Sequence, residues 1–263
     1  MAYEKIIKKD TRPYIESLRD DIASRRDRDF FWPTGTQVYC GRQGSGKTIS
    51  CVKHLLDLKE RYPKAIVVSN ILLSNLKPLE FHTKQGLESI LSSEHFKPTK
   101  HYILFKSMEE LSIALTTVNN GFLGVIYIID EIHTYFNALE SKNIPMYVFT
   151  EISQQRKQRK LIIGTSQLFL RMAKPLREQC DNLIVCNTIA GIFTYTKVYD
   201  GMTLTQDYDG GLVGKQKKIG WFFHNRKIRN SFDTYQKVVS GAEQYEEMQQ
   251  PFDKKMLKKM LKK

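Results

Sequence analysis

Residues 41–48 read Gly41-Arg42-Gln43-Gly44-Ser45-Gly46-Lys47-Thr48 and fit G-x-x-x-x-G-K-[ST], the phosphate-binding P-loop. The motif constrains the fold because it works only between a strand and a helix. Both flanks are present. Residues 36–40 (TQVYC) read as a strand, and residues 47–61 read as a helix with Ile49, Val52, Leu55, Leu56 and Lys59 at helical spacing. Gly44 and Gly46 let the backbone turn tightly and aim successive N–H groups at phosphate oxygens. The N-terminus of the following helix adds the positive end of its dipole. Gly41, Gln43, Gly44, Ser45, Gly46, Lys47, Thr48 and Ile49 therefore form the expected nucleotide-binding set. Lys47 is placed to reach the β- and γ-phosphates, and Thr48 to hold Mg²⁺ through its hydroxyl. The chain is expected to bind a nucleoside triphosphate, ATP, with Mg²⁺.

The remaining pattern alternates. Residues 65–69 (AIVVS), 102–105 (YILF), 124–129 (GVIYII), 161–164 (LIIG) and 182–186 (NLIVC) read as buried strands. Between them, Ser107-Met108-Glu109-Glu110 resembles a capping box opening a helix to about residue 118. Residues 145–159 read as a helix, residues 168–179 as mostly helical with a split at Pro175, and residues 70–98 as irregular. This order predicts an α/β fold: a doubly wound, mostly parallel sheet of the P-loop NTPase kind. From residue 188 the pattern changes. Residues 192–199 and 202–208 alternate around Asp200-Gly201 and read as a β-hairpin, a glycine-rich loop follows, and residues 220–224 read as another short strand. The expected organisation is an N-terminal helical arm (1–33), an ATPase core (34–190), a β-rich basic extension (191–240) and a Lys-rich tail (241–263).

Charge points to the partner. Lys and Arg number 41 against 28 Asp and Glu, a formal net charge of +13, which suits a polyanion such as DNA better than a neutral partner. Lys215, Lys217, Lys218, Arg226 and Lys227 surround Trp221, Phe222, Phe223 and His224, a set able to hold phosphates without regard to sequence while its aromatics pack or stack. Cys40, Cys51, Cys180 and Cys186 form no C-x-x-C pair and read as buried thiols in a reducing compartment. The N-terminus is charged and no apolar run approaches a membrane span, so a cytoplasmic protein with no integral membrane segment is expected.

Asp130-Glu131 ends the most apolar strand. Asp130 fits the Walker B role of binding Mg²⁺, and Glu131 that of general base for the attacking water. Gln167 ends the next strand, where parallel sheets line their ligand crevice; it reads either as a sensor of the γ-phosphate or water, or as a polar strand end bonding its own loop. Arg156 and then Arg159 are the candidates for an arginine given to the developing charge, against the alternative of a solvated basic helix end. His133 is a lone histidine near the acidic pair, with either a coupling or a structural role.

Walker A at 41–48, Asp130-Glu131, the arginines and the strand 159–167 ending in Gln167 together resemble the FtsK/HerA superfamily of DNA-pumping ATPases. Within it the chain is similar to viral genome-packaging ATPases and to the Zot-like ATPases of filamentous phages. Residues 228–235 (IRNSFDTY) are similar to a stretch following the core in Zot-like proteins. The resemblance implies ATP hydrolysis coupled to translocation of double-stranded DNA by a homo-oligomeric ring, a hexamer or pentamer, docked on a capsid portal or vertex. Zot-like assembly proteins usually continue through a membrane helix into a periplasmic part, and neither is visible here; that favours a packaging motor over a phage-export or conjugation ATPase. A nucleotide-gated DNA-binding scaffold with little turnover is the alternative of another class.

Overall fold

The computed structural model describes residues 27–206 and 211–232. The expected arm helices before residue 27, and the tail, lie outside the described residues.

In chain order the elements are β1 (Gly35–Cys40), α1 (Lys47–Arg61), β2 (Ile66–Ser69), β3 (Lys77–Glu80), α2 (Lys84–Ser92), β4 (His101–Leu104), α3 (Met108–Thr117) and β5 (Val125–Ile129). Then come α4 (Ile132–Tyr135), α5 (Met146–Ser153), β6 (Lys160–Ser166), α6 (Lys174–Arg177), β7 (Cys180–Ile189), β8 (Phe193–Asp200), β9 (Thr205–Gln206), β10 (Leu212–Val213), β11 (Gln216–Phe223) and α7 (Arg226–Arg229). Nine strands form one sheet in the order β11-β8-β7-β1-β6-β5-β2-β4-β3. From β7 to β3 every pairing is parallel; β8 and β11 add antiparallel to the other side.

Parallel strands are covered on both faces, which is why β5 and β6 are buried at every position. Alternate residues divide between two cores. Val38, Val68, Ile103, Tyr127, Ile129 and Ile162 pack with α3, α5 and α6. Tyr39, Val67, Tyr102, Ile126, Ile128 and Ile163 pack under α1, which presents Cys51, Val52, Leu55 and Leu58. All four cysteines are buried free thiols, and burial pushes Cys40, Cys180 and Cys186 well above the ordinary thiol pKa.

Four elements differ from the sequence reading. The irregular stretch 70–98 contains β3, an exposed edge strand whose KPLE sequence carries Pro78, tolerated at an edge, and also contains α2. The helix expected to reach residue 159 stops at Ser153: no apolar side chain follows Ile152 to hold it down, and tight turns through Arg159 (φ 50°) lead into β6. The segment 168–179 is a 3₁₀ turn followed by the short α6, and Pro175 opens that helix instead of splitting one. The hairpin turn is not at Asp200-Gly201. It is Ala190-Gly191, both at positive φ (51° and 66°), joining the ten-residue β7 to β8. β8 then takes β11 as its other neighbour, and Gly201–Thr203 is a 3₁₀ turn.

Candidate nucleotide site

The P-loop leaves β1, the strand with β6 on one side and β7 on the other. Gly46 caps α1 at φ 85°, ψ 21°, in the left-handed region. A Cβ there would stand 2.2 Å from Thr188 Oγ1 and 2.7 Å from Thr194 Oγ1, so β7 and β8 press on the loop and leave room for glycine alone. Ser45 Oγ is buried in the loop without a protein partner, and the position of a Cβ on Gly44 meets open space. A buried hydroxyl needs an acceptor or donor, and a bound phosphate supplies one. Lys47, 7% exposed, donates to Arg42 O across the loop (3.2 Å).

Opposite the loop, the C-terminal ends of β2, β5 and β6 converge on Asp130 and Glu131. Asp130 Oδ1 accepts from Thr48 Oγ1 (3.1 Å) and Thr165 Oγ1 (2.5 Å). Thr165 Oγ1 in turn accepts from Glu131 N–H (2.9 Å). Asn70, at the end of β2, clasps the Asp130 backbone: its Oδ1 accepts from Asp130 N–H (2.8 Å) and its Nδ2 donates to Asp130 O (3.0 Å). Glu131 sits at φ 49°, ψ 50°, a left-handed conformation rare for a non-glycine and concentrated at functional sites. Gln167 Nε2 donates to Glu131 Oε1 (3.3 Å), and His133 Nδ1 lies 3.2 Å from Glu131 Oε2 and 3.2 Å from Ser166 Oγ. Burial holds His133 below its ordinary pKa despite the adjacent Glu131.

On the other side of the loop, the start of α1, the end of β7 and α7 flank a cavity of about 400 Å³, lined by Gly46, Ile49, Thr188, His224, Arg229 and Phe232. Thr194 Oγ1 bonds both Thr188 Oγ1 (2.6 Å) and His224 Nε2 (2.7 Å), and Arg229 Nη2 donates to Gly191 O (2.7 Å).

The structure brings Lys47, Thr48, Asp130, Glu131 and Gln167 together and leaves Arg156 and Arg159 apart. Both arginines lie at the opposite end of the sheet, about 20 Å away along the six residues of β1. Arg156 Nη2 is 3.5 Å from Asp181 Oδ1 and its side chain is exposed. Arg159 lies over the Phe30 ring (3.7 Å), within reach of Trp32 and Phe122, and donates to Phe31 O (2.9 Å). Among the basic candidates, Lys217 pairs with Asp200 (3.3 Å) and Asn182 (3.0 Å), while Lys215, Lys218, Arg226 and Lys227 are exposed. The sequence reading missed Asn70, Thr188, Arg229 and Phe232. Asn70 carried a signal, being the polar residue directly after a β-branched parallel strand. The others come from segments whose pairing with β1 and α1 is visible only in three dimensions.

Sheet order, loop and Walker B pair define a P-loop NTPase. The family model described as Zonular occludens toxin (Zot) matches residues 36–227. The chain belongs to the Zot family. No curated protein matches it. Among solved structures it is similar to the genome packaging NTPase B204 of Sulfolobus turreted icosahedral virus 2, at 14% identity over 71% of this chain and 97% of that one, TM-score 0.49. It is also similar to the N-terminal domain of zonular occludens toxin from Neisseria meningitidis, at 14% identity over 77% of this chain and 100% of that one, TM-score 0.48. Among the described residues no helix is long and apolar enough to cross a membrane.

Proposed function

We propose that this chain hydrolyses ATP to move DNA as a ring-forming motor, in viral genome packaging. The observation that carries the reading is the Glu131 carboxylate, bonded through Oε1 to Gln167, with its Oε2 buried and without a hydrogen-bond partner beside His133, and backed by the Asp130–Thr165–Thr48 chain at the mouth of the P-loop. The loop N–H groups and Lys47 bind the phosphates. Thr48 and Asp130 are hard oxygen donors suited to Mg²⁺, which when bound neutralises charge on the β- and γ-phosphates. Glu131 takes the proton of the attacking water and Gln167 orients that water. The nucleoside occupies the cavity of Ile49, His224, Arg229 and Phe232. An arginine of a neighbouring subunit completes the site; Arg156, exposed, is the more available of the two, since Arg159 is engaged by its aromatic neighbours. Lys215, Lys218, Arg226 and Lys227 hold DNA phosphates, with Lys217 beside them. The motor works in the host cytoplasm and docks on a capsid portal or vertex. The basic extension, 191–240, serves as the DNA-contacting unit beside the 34–190 ATPase core.

The family match supports a second reading, an ATPase of phage assembly or export acting through membrane partners. Both readings require turnover. The test is steady-state ATP hydrolysis against protein concentration, with and without double-stranded DNA, for the wild type, Arg156→Ala and Glu131→Gln. A rate per subunit that rises with concentration and DNA, collapses in Arg156→Ala and falls at least about 100-fold in Glu131→Gln is expected. A flat rate indifferent to Arg156 sinks the assembled motor. A rate unchanged in Glu131→Gln leaves a nucleotide-gated scaffold.

A further inference from the structure

Strand pairing sorts the aromatics of the C-terminal strands onto two faces. Residues directly opposite across a sheet share a face. Three rows run across β7, β8 and β11: Ile189–Phe193–Phe223, Asn187–Tyr195–Trp221 and Val185–Lys197–Ile219. The intervening Thr194, Val198 and Phe222 belong to the other face, with Val198 packed in the core beneath α1. The β11 members of these rows are open, with Trp221 66% exposed, Phe223 60% and Ile219 60%, while Phe193, Tyr195 and Lys197 of β8 are half-buried. Phe193, Trp221 and Phe223 form one cluster with ring centroids 5.1–6.0 Å apart. Lys197 lies within this face, and none of its nine positions is a carboxylate. Exposed Lys215 precedes β11 and exposed Arg226 and Lys227 follow it, so cations stand at both ends of the aromatic strand.

We infer that this face is a stacking platform for the unpaired bases of a single DNA strand; the inference rests on the DNA reading above and narrows it. A duplex keeps its base faces stacked inside and offers this surface only groove edges and phosphates. A single strand offers both a π-face and a phosphate at each nucleotide. Successive rows are two residues apart, about 7 Å, or twice the spacing of stacked bases, so neighbouring bases splay onto successive rows. The aromatic rows bind by stacking, which tolerates any base, and the flanking cations bind the backbone between them.

The test is fluorescence anisotropy with a labelled oligothymidylate of about 16 nucleotides and a duplex of the same length, without nucleotide. The proteins are the wild type, Trp221→Ala, Phe223→Ala and Trp221→Phe, with oligomeric state followed by sedimentation. The single strand should bind at least about tenfold tighter than the duplex. Each alanine variant should weaken it about fivefold to a hundredfold, Trp221→Phe should restore most of the loss, and basal ATP hydrolysis and duplex binding should not change. Equal binding of both forms, insensitive to Trp221 and Phe223, overturns the platform while leaving the lysines as DNA contacts. Binding of neither form removes the DNA reading itself. Loss of assembly in the alanine variants with single-strand affinity intact overturns the platform in favour of a contact between copies.

Discussion

Replacing Asn70 by Ala tests whether the Walker B carboxylate is held by its backbone. Asn70 is 5% exposed and makes two hydrogen bonds to Asp130, accepting from its N–H at 2.8 Å and donating to its O at 3.0 Å. Each such bond contributes about 0.5–1.5 kcal/mol net, and a buried N–H left unpaired costs about 1–3 kcal/mol. Asp130 is partly solvated, so the loss falls at the lower end, about 2–3 kcal/mol. For a chain of this size that corresponds to a fall in Tm of about 5–10 °C. Asn70 hydrogen-bonds to Asp130, Tyr135 and Ile128 and to none of the P-loop residues, so nucleotide affinity measured without Mg²⁺ should stay near wild type. Hydrolysis should fall about 10–100-fold, as when the outer partners of a metal-binding group are removed. Asn70→Asp should be intermediate, because one oxygen still accepts from Asp130 N–H while the other faces Asp130 O without a proton between them. A folded Asn70→Ala that hydrolyses ATP at the wild-type rate with Mg²⁺ refutes the argument, whatever its Tm.

Arg159→Ala should lose about 2–3 kcal/mol of stability by denaturant titration, because stacking on Phe30 and the bond to Phe31 O both go; an unchanged midpoint refutes that role. His54, bonded to Tyr39 OH at 3.0 Å, is held down to about 4 by burial. The unfolded chain takes up this proton near pH 6.5 and the folded chain does not until about pH 4. Its contribution, up to about 3 kcal/mol, is therefore complete above pH 6.5 and lost as pH falls to about 4. His54→Leu should flatten the pH–stability curve in that window relative to wild type, and parallel curves would count against it. Arg229→Ala should raise the KM for ATP about tenfold while binding of tripolyphosphate, which lacks a nucleoside, stays unchanged; equal losses for both ligands would refute the placing of the nucleoside in the cavity that Arg229 lines.

The parallel part of the sheet, apart from the exposed edge strand β3, was legible because burial on both faces writes itself as short β-branched and aromatic runs, such as GVIYII before Asp130-Glu131. Lys47, Thr48, Asp130 and Gln167 could be placed because strand ends in such a sheet gather at one crevice. What escaped depends on pairing. Residues 193–200 alternate, and alternation reveals a strand without naming its neighbours; only the positive φ of Ala190 and Gly191 fixes β7 as the first. The arginines illustrate the same limit. Arg159 carries a helix-like basic sequence context, yet the three aromatics it meets are Phe30 and Trp32, more than a hundred residues earlier, and Phe122.

The screening of β7 by β8 bears on how a chain of this kind can diversify. Thr188, near the end of β7, abuts Gly46. Beyond it, β8 occupies the outer edge of β7 from Asn182 to Ile189. A lineage that lost everything after residue 190 would leave a long unpaired edge beside the P-loop, an invitation to pair with any other strand. Novelty is thereby channelled to the two rims of the sheet, β3 and β11, away from the P-loop.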